Sequence, residues 1–154
     1  MGFWSNLFGG GEPAAETPAI LPESKESKDL LWDKISSALS IMDNELRPVM
    51  VQAQQKKWVR ATASDFSNFT IKLRNGRTRT EKETARIEAV PLQNPEFQDC
   101  ARTVTDFLKK INFEIKSVEE QLTGERNITQ IPAHLTEGLS SLEQLKGYWT
   151  NARK

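Results

Sequence analysis

The side chains able to do chemistry are few in this 154-residue chain, which holds one His and one Cys. His134 follows Pro132 at the start of an apolar-periodic run, where an imidazole serves as a surface or capping group rather than a base unless a partner faces it. Cys100 lies on the flank of another apolar run and reads as a small core residue rather than a reactive thiol. Glu119 and Glu120 are adjacent in sequence, so on a helix they point different ways and do not form an acid/base pair. The triplet Gly9-Gly10-Gly11 follows no strand and so is no phosphate loop. Asn68-Phe-Thr and Asn127-Ile-Thr are glycosylation sequons without meaning in the absence of a secretory route. One His and one Cys cannot supply a structural zinc site, and one Cys cannot close an internal disulfide. No cofactor, no metal and no small-molecule substrate are expected, and catalysis is not.

Cations and apolar wedges offer a different chemistry, that of docking. The 21 Lys and Arg balance 21 Asp and Glu, but unevenly. Residues 1–45 hold three basic and eight acidic groups, residues 46–55 add Arg47, residues 56–86 hold nine basic and three acidic groups, and residues 87–154 hold eight basic and ten acidic groups. The middle is thus a basic block between acidic flanks. Lys56, Lys57, Arg60, Lys72, Arg74, Arg77 and Arg79 are the candidate contacts for an anionic partner. With Trp58 and Phe66 nearby they are the raw material of a phosphate-contacting surface. No helix-turn-helix, zinc or RNA-binding signature frames the block, and Trp58 and Phe66 also fit a core. Acidic and basic segments that neutralise one another across a folded surface would give the same count.

The first ten residues, MGFWSNLFGG, put Phe3, Trp4, Leu7 and Phe8 on one face of a short helical turn pair. Alone it is too short to hold a helix in water. Its apolar face suits a lipid headgroup region, where Trp and Phe are favoured, or an apolar groove of a protein partner; folding back on its own domain is the third option. No Lys or Arg precedes Lys25, which weighs against anionic lipid. Myristoylation is set aside because Asn6 stands where Ser or Thr is wanted. A Pro/Glu/Ser-rich stretch follows that cannot build a core. The expected organisation is an amphipathic peptide over 1–11, a flexible linker over 12–26 and a helical domain over 27–154.

The elements that must position these groups are helices. Phe97, Ala101, Val104, Leu108, Ile111, Ile115, Val118 and Leu122 repeat at alternating steps of four and three, the 3.5-residue period of helices that pack along a seam. Pro95 marks the start, and Gly124 marks the end as a left-handed cap. Trp32, Ile35, Leu39, Met42, Leu46, Val49 and Ala53 form a second seam, widened by Leu31, Ala38 and Ile41. Pro48 interrupts it, so the helix either kinks near Asn44 or restarts there with Asn44 as cap. The run goes on through Trp58, Val59, Ala63, Phe66, Phe69 and Leu73 to a cap at Asn75-Gly76, leaving 77–95 as a connection with a short helix near Lys82 to Val90. Alternation over Phe69, Ile71 and Leu73 before Asn-Gly also fits a β-hairpin at 68–80, although RTRTEKE gives the return strand no apolar face. Pro132 to Asn151, with Leu135, Leu139, Leu142, Leu145 and Trp149 on one face, is the last helix.

The fold class is therefore all-α, an elongated antiparallel bundle of three or four helices with coiled-coil-like packing behind a flexible N-terminal tail. A parallel zipper is disfavoured because the flanks of the long seam, Gln98, Cys100, Thr105, Phe107, Asn112, Glu114, Glu119 and Gln121, carry no cation to pair with Glu. Phe113 falls on the outer side, open to a neighbouring subunit or the N-terminal peptide. The expected function is a non-catalytic scaffold or adaptor that self-associates or binds a protein partner. Its N-terminal peptide docks to a membrane surface or protein groove, and the alternative is nucleic-acid association through 56–86. No apolar run is long enough to span a bilayer, and no basic n-region precedes an apolar h-region, so no secretory signal is expected. The expected location is the cytoplasm, including the inner face of a membrane, or a virus particle.

Overall fold

The computed structural model describes residues 24–124 and 128–153. Those residues form helices, with no strand among them: α1 (Lys25–Ile41), a π turn (Met42–Leu46), α2 (Arg47–Gln55), a 3-10 turn (Trp58–Arg60), α3 (Ala63–Glu88), α4 (Pro95–Thr123), a second 3-10 turn (Ile128–Gln130) and α5 (Ile131–Ala152). Because α1, the π turn and α2 run on without a break, the body is four long helices. Pairings across them run opposite in sequence: Arg79 meets Glu45, Lys109 meets Glu88, His134 meets Glu114 and Lys146 meets Asp43. Each helix is therefore antiparallel to the next, and the first returns to lie between α3 and α5.

Helix α1 starts inside the expected linker, because Ser24 Oγ accepts from the Ser27 N–H at 3.1 Å and caps the first turn. Pro48 lies in the first turn of α2, directly after the π turn. Its missing N–H and its ring would disturb the carbonyl four residues back. The chain inserts a π turn there, in which the Arg47 N–H reaches Met42 O. Asn44 is not a cap; its Nδ2 donates to Ser40 Oγ at 3.1 Å. The extra residue shifts the apolar stripe by one position, so Met50 is wholly buried while Val49 is only partly covered.

The run does not continue through Trp58. The chain reverses after Gln55, and the Trp58 indole N–H donates to Ala53 O at 2.9 Å, joining the Lys56 N–H on a carbonyl in the last turn of α2. Trp58 then packs on Phe66 and Phe69 with ring centroids 5.3 and 5.2 Å away, while Val59 is left exposed. Thr62 and Asp65 form a reciprocal capping box that opens α3.

Neither the cap nor the hairpin at Asn75-Gly76 forms, since α3 passes straight through both residues and absorbs the expected connection and short helix. Gly76 is buried against the π turn: a Cβ there would lie 2.4 Å from Leu46 Cδ2. The glycine serves close approach of two helices rather than a turn. Gly138 plays the same part in α5, where a Cβ would meet Met50 Cε at 2.7 Å.

Helix α4 spans 29 residues, about 43 Å at 1.5 Å per residue. Asn94 Oδ1 caps it by accepting from the Glu96 N–H at 2.8 Å, with Pro95 in the first turn. Of its seam, Ala101, Val104, Leu108, Ile111, Ile115, Val118 and Leu122 are buried and Phe97 is partly so. Gly124 ends the helix with φ −91°, outside the left-handed region expected of it, and its N–H bonds Glu120 O at 2.8 Å. Leu135, Leu142, Leu145 and Trp149 of α5 close the core, with Leu139 at its edge. At one end Trp32 meets Phe97 and Trp149 edge-on at 5.5 and 5.0 Å between centroids. The beginnings of α1 and α4 and the close of α5 therefore lie together at that end.

Candidate functional site

The docking residues Phe3, Trp4, Leu7 and Phe8 lie outside the described residues. The cations of the basic block do not gather into one surface. Lys56 lies at the reversal after α2 and holds Asp65 at 3.0 Å. Arg74 and Arg77 reach across to Glu119 of α4, Arg74 at 3.3 Å and Arg77 with Nε at 2.5 Å and Nη2 at 3.0 Å. Arg79 leaves the other side of α3 for Glu45 in the π turn. Lys57, Arg60 and Lys72 are exposed.

The Arg77 pair is the most deeply placed charge. The Glu119 side chain is 4 % exposed and that of Arg77 14 %, so the bidentate fork and the second cation at Arg74 offset the cost of burying the carboxylate. Glu119 holds the Arg77 guanidinium well above the ordinary arginine range. Beside it Thr80 Oγ1 donates to the buried Asn112 Oδ1 at 3.0 Å. Of the two cation-free flanks of the long seam, the one holding Thr105, Asn112 and Glu119 is covered and meets α3 through Asn112 and Glu119, while Glu114 on the other meets α5.

His134 Nδ1 lies 2.7 Å from Glu114 Oε1, which ties the start of α5 to α4. Cys100 is buried; desolvation pushes its thiol up, and a hydrogen bond with Tyr148 opposes that only in part. Among the described residues no group of three or more His, Cys, Asp or Glu is placed to hold a metal ion. No helix among them is long and apolar enough to cross a membrane.

A groove between α3 and α4 was not legible from the basic block. On α3 its wall is the row Glu81, Ala85, Glu88, and on α4 the row Lys109, Phe113, Lys116, with a volume of about 320 Å³ between them. Lys109 and Glu88 bridge across it at 2.7 Å. A second depression of about 500 Å³, floored by Ile87, Val90, Leu92 and Ala101, shares Glu88 and Lys109 and carries the groove toward the α3–α4 connection. Phe113 is 65 % exposed, on the outer side where the period places it. The signal that marks the groove in sequence is the matching i, i+4, i+7 spacing of the two rows.

No protein-family model, no curated protein and no solved structure matches the chain.

Proposed function

We propose that the chain is a non-catalytic scaffold or adaptor, a helical body that joins other molecules through its surfaces while residues 1–11 dock to a membrane surface. The observation that carries this reading is the use the bundle makes of its titratable side chains. His134 is engaged by Glu114, Glu119 by Arg74 and Arg77, Glu45 by Arg79, and Asp43 and Glu143 by Arg47 and Lys146. Apart from the contact of Lys146 with Glu143 inside α5, each pair links one helix to another or braces the π turn, and the thiol is shut in the core. Groups spent on holding helices together do not supply the poised acid, base or nucleophile that a reaction needs. The apolar face of Phe3, Trp4, Leu7 and Phe8 supplies the docking element. Four such side chains, each worth at most roughly 1.5 to 3 kcal/mol on full burial, give a weak and reversible contact.

Co-sedimentation with phosphatidylcholine vesicles tests the membrane arm. The full chain is expected to pellet with vesicles and a chain lacking residues 1–11 to stay in solution. Equal pelleting of the two would remove membrane docking from the reading.

A further inference from the structure

The groove between α3 and α4 sets two oppositely charged rows side by side. Its α3 wall carries carboxylates at both ends of the row, Glu81 and Glu88, with the short Ala85 between them. Its α4 wall carries ammonium groups at both ends, Lys109 and Lys116, with the protruding Phe113 between them. Since the helices are antiparallel and Glu88 bridges Lys109, Ala85 lies level with Phe113 and Glu81 level with Lys116. Over these two rows the face is a negative stripe with a notch beside a positive stripe with a knob, and Glu81 is also held by Arg77 of its own helix at 3.0 Å.

We infer that a second copy of this chain docks on this face, about a two-fold axis parallel to the bundle, so that α3 of each copy lies on α4 of the other. In that arrangement Phe113 enters the second copy's groove at Ala85, where no long side chain obstructs it. Glu88 and Glu81 of one copy then face Lys109 and Lys116 of the other, and the symmetry repeats each pair. An axis across the bundle would instead lay α3 on α3 and oppose the two carboxylate rows, which like-charge repulsion disfavours. Charge sets the orientation and the aromatic knob supplies the apolar anchor. The matched rows span seven residues, about 10 Å at 1.5 Å per residue; covering the whole face of the two helices, some 39 Å long and about 20 Å across, sets an upper bound of about 800 Å² per copy, the size of a standard specific interface. With charges at its rim and one aromatic at its centre, the pair should form in the micromolar range.

This interface rests on the scaffold reading and names what the body of the scaffold holds. Sedimentation equilibrium of the full chain across micromolar concentrations tests it. The wild type is expected to approach a dimer, and Phe113→Glu to weaken association at least about tenfold while leaving the melting temperature unchanged at concentrations low enough that the wild type is monomeric, because the ring is mostly exposed. The double variants K109E/K116E and E81K/E88K should each be monomeric alone and should associate with one another when mixed, which keeps the test intact if Phe113→Glu folds poorly. A wild type that stays monomeric, a Phe113→Glu chain that dimerises as the wild type does, or charge variants that ignore each other would each overturn the interface. A monomer that still loses vesicle binding without residues 1–11 refutes the interface and leaves membrane docking standing. A dimer that binds vesicles equally well without them does the reverse.

Discussion

Gly76, Gly138 and Gly147 all sit inside long helices, where replacing glycine by alanine ordinarily stabilises by about 0.5 to 1 kcal/mol through backbone entropy. What separates the three is what an added Cβ meets. At Gly76 it would lie 2.4 Å from Leu46 Cδ2 and 2.6 Å from Leu46 Cγ. Leu46 is fully buried, and the clash reaches its branch point, so rotating an end methyl does not relieve it; either the whole side chain or the helix must move. Overpacking of that kind costs about 1 to 3 kcal/mol, and the severity of this contact places it at the upper end. After subtracting the helix gain, Gly76→Ala should destabilise by about 1 to 2 kcal/mol. At Gly138 the obstacle is Met50 Cε at 2.7 Å, the tip of a flexible side chain, with Glu114 Cβ in ordinary contact at 3.5 Å. The two effects there should nearly cancel. At Gly147 nothing lies within 4 Å, so the variant should gain the full stabilisation. Urea unfolding followed by circular dichroism reads all three as shifts in midpoint at constant slope. The order Gly147→Ala above wild type, Gly138→Ala near it and Gly76→Ala below it is the prediction. A Gly76→Ala chain as stable as Gly147→Ala would refute the close approach of α3 to the π turn. Coupling supplies an internal control, because Leu46→Ala removes the obstacle and Gly76→Ala should cost nothing in that background.

Arg77→Ala should cost about 3 kcal/mol or more in the same assay, because it strips the bidentate partner from a buried carboxylate, whereas Arg74→Ala, at a half-exposed position, should cost less than about 1 kcal/mol. Thr62→Ala should cost about 1 kcal/mol by removing the cap of α3. At the same cap the Thr62 N–H, together with Lys56, holds the Asp65 carboxyl below its ordinary range; its stabilisation is therefore present above about pH 4 and fades as pH falls through the lowered folded-state value. Unfolding midpoints measured from pH 6 down to pH 2 should lose part of that acid limb in Asp65→Asn.

Periodicity carried the reading of the fold furthest where one helix contacts the core along its whole length. The seam from Ala101 to Leu122 is buried as its spacing demands, and Pro95 and Asn94 begin it where the sequence places its start. The reading faltered where a residue type has two physical uses. Glycine after asparagine ends helices and turns hairpins, but it also lets helices touch, and only the presence of Leu46 opposite Gly76 tells which is in force. Pro48 posed a choice between kink and restart because a π turn leaves no composition signature of its own; its trace is the shift of burial from Val49 to Met50. The basic block was legible in sign and opaque in consequence. Arg77 and Arg79, two positions apart, leave α3 for Glu119 and Glu45, at separations of 42 and 34 residues, and no local pattern announces such partners. The groove rows were visible as spacings on separate helices, yet their apposition depends on the α3–α4 register.

The meeting of Trp32 with Phe97 and Trp149 fixes where residues before Ser24 leave the body, namely from the end that also bears the start of α4. In the proposed pairing, a two-fold axis along the bundle would keep that end common to both copies, so both N-terminal segments would leave from the same end, each from behind its own α3. Once one peptide has found a surface, the other is confined near it at an effective concentration in the millimolar range. If the chain pairs and residues 1–11 dock as proposed, an anchor too weak to hold singly would hold as a pair, and attachment would become a readout of how much of the protein is present.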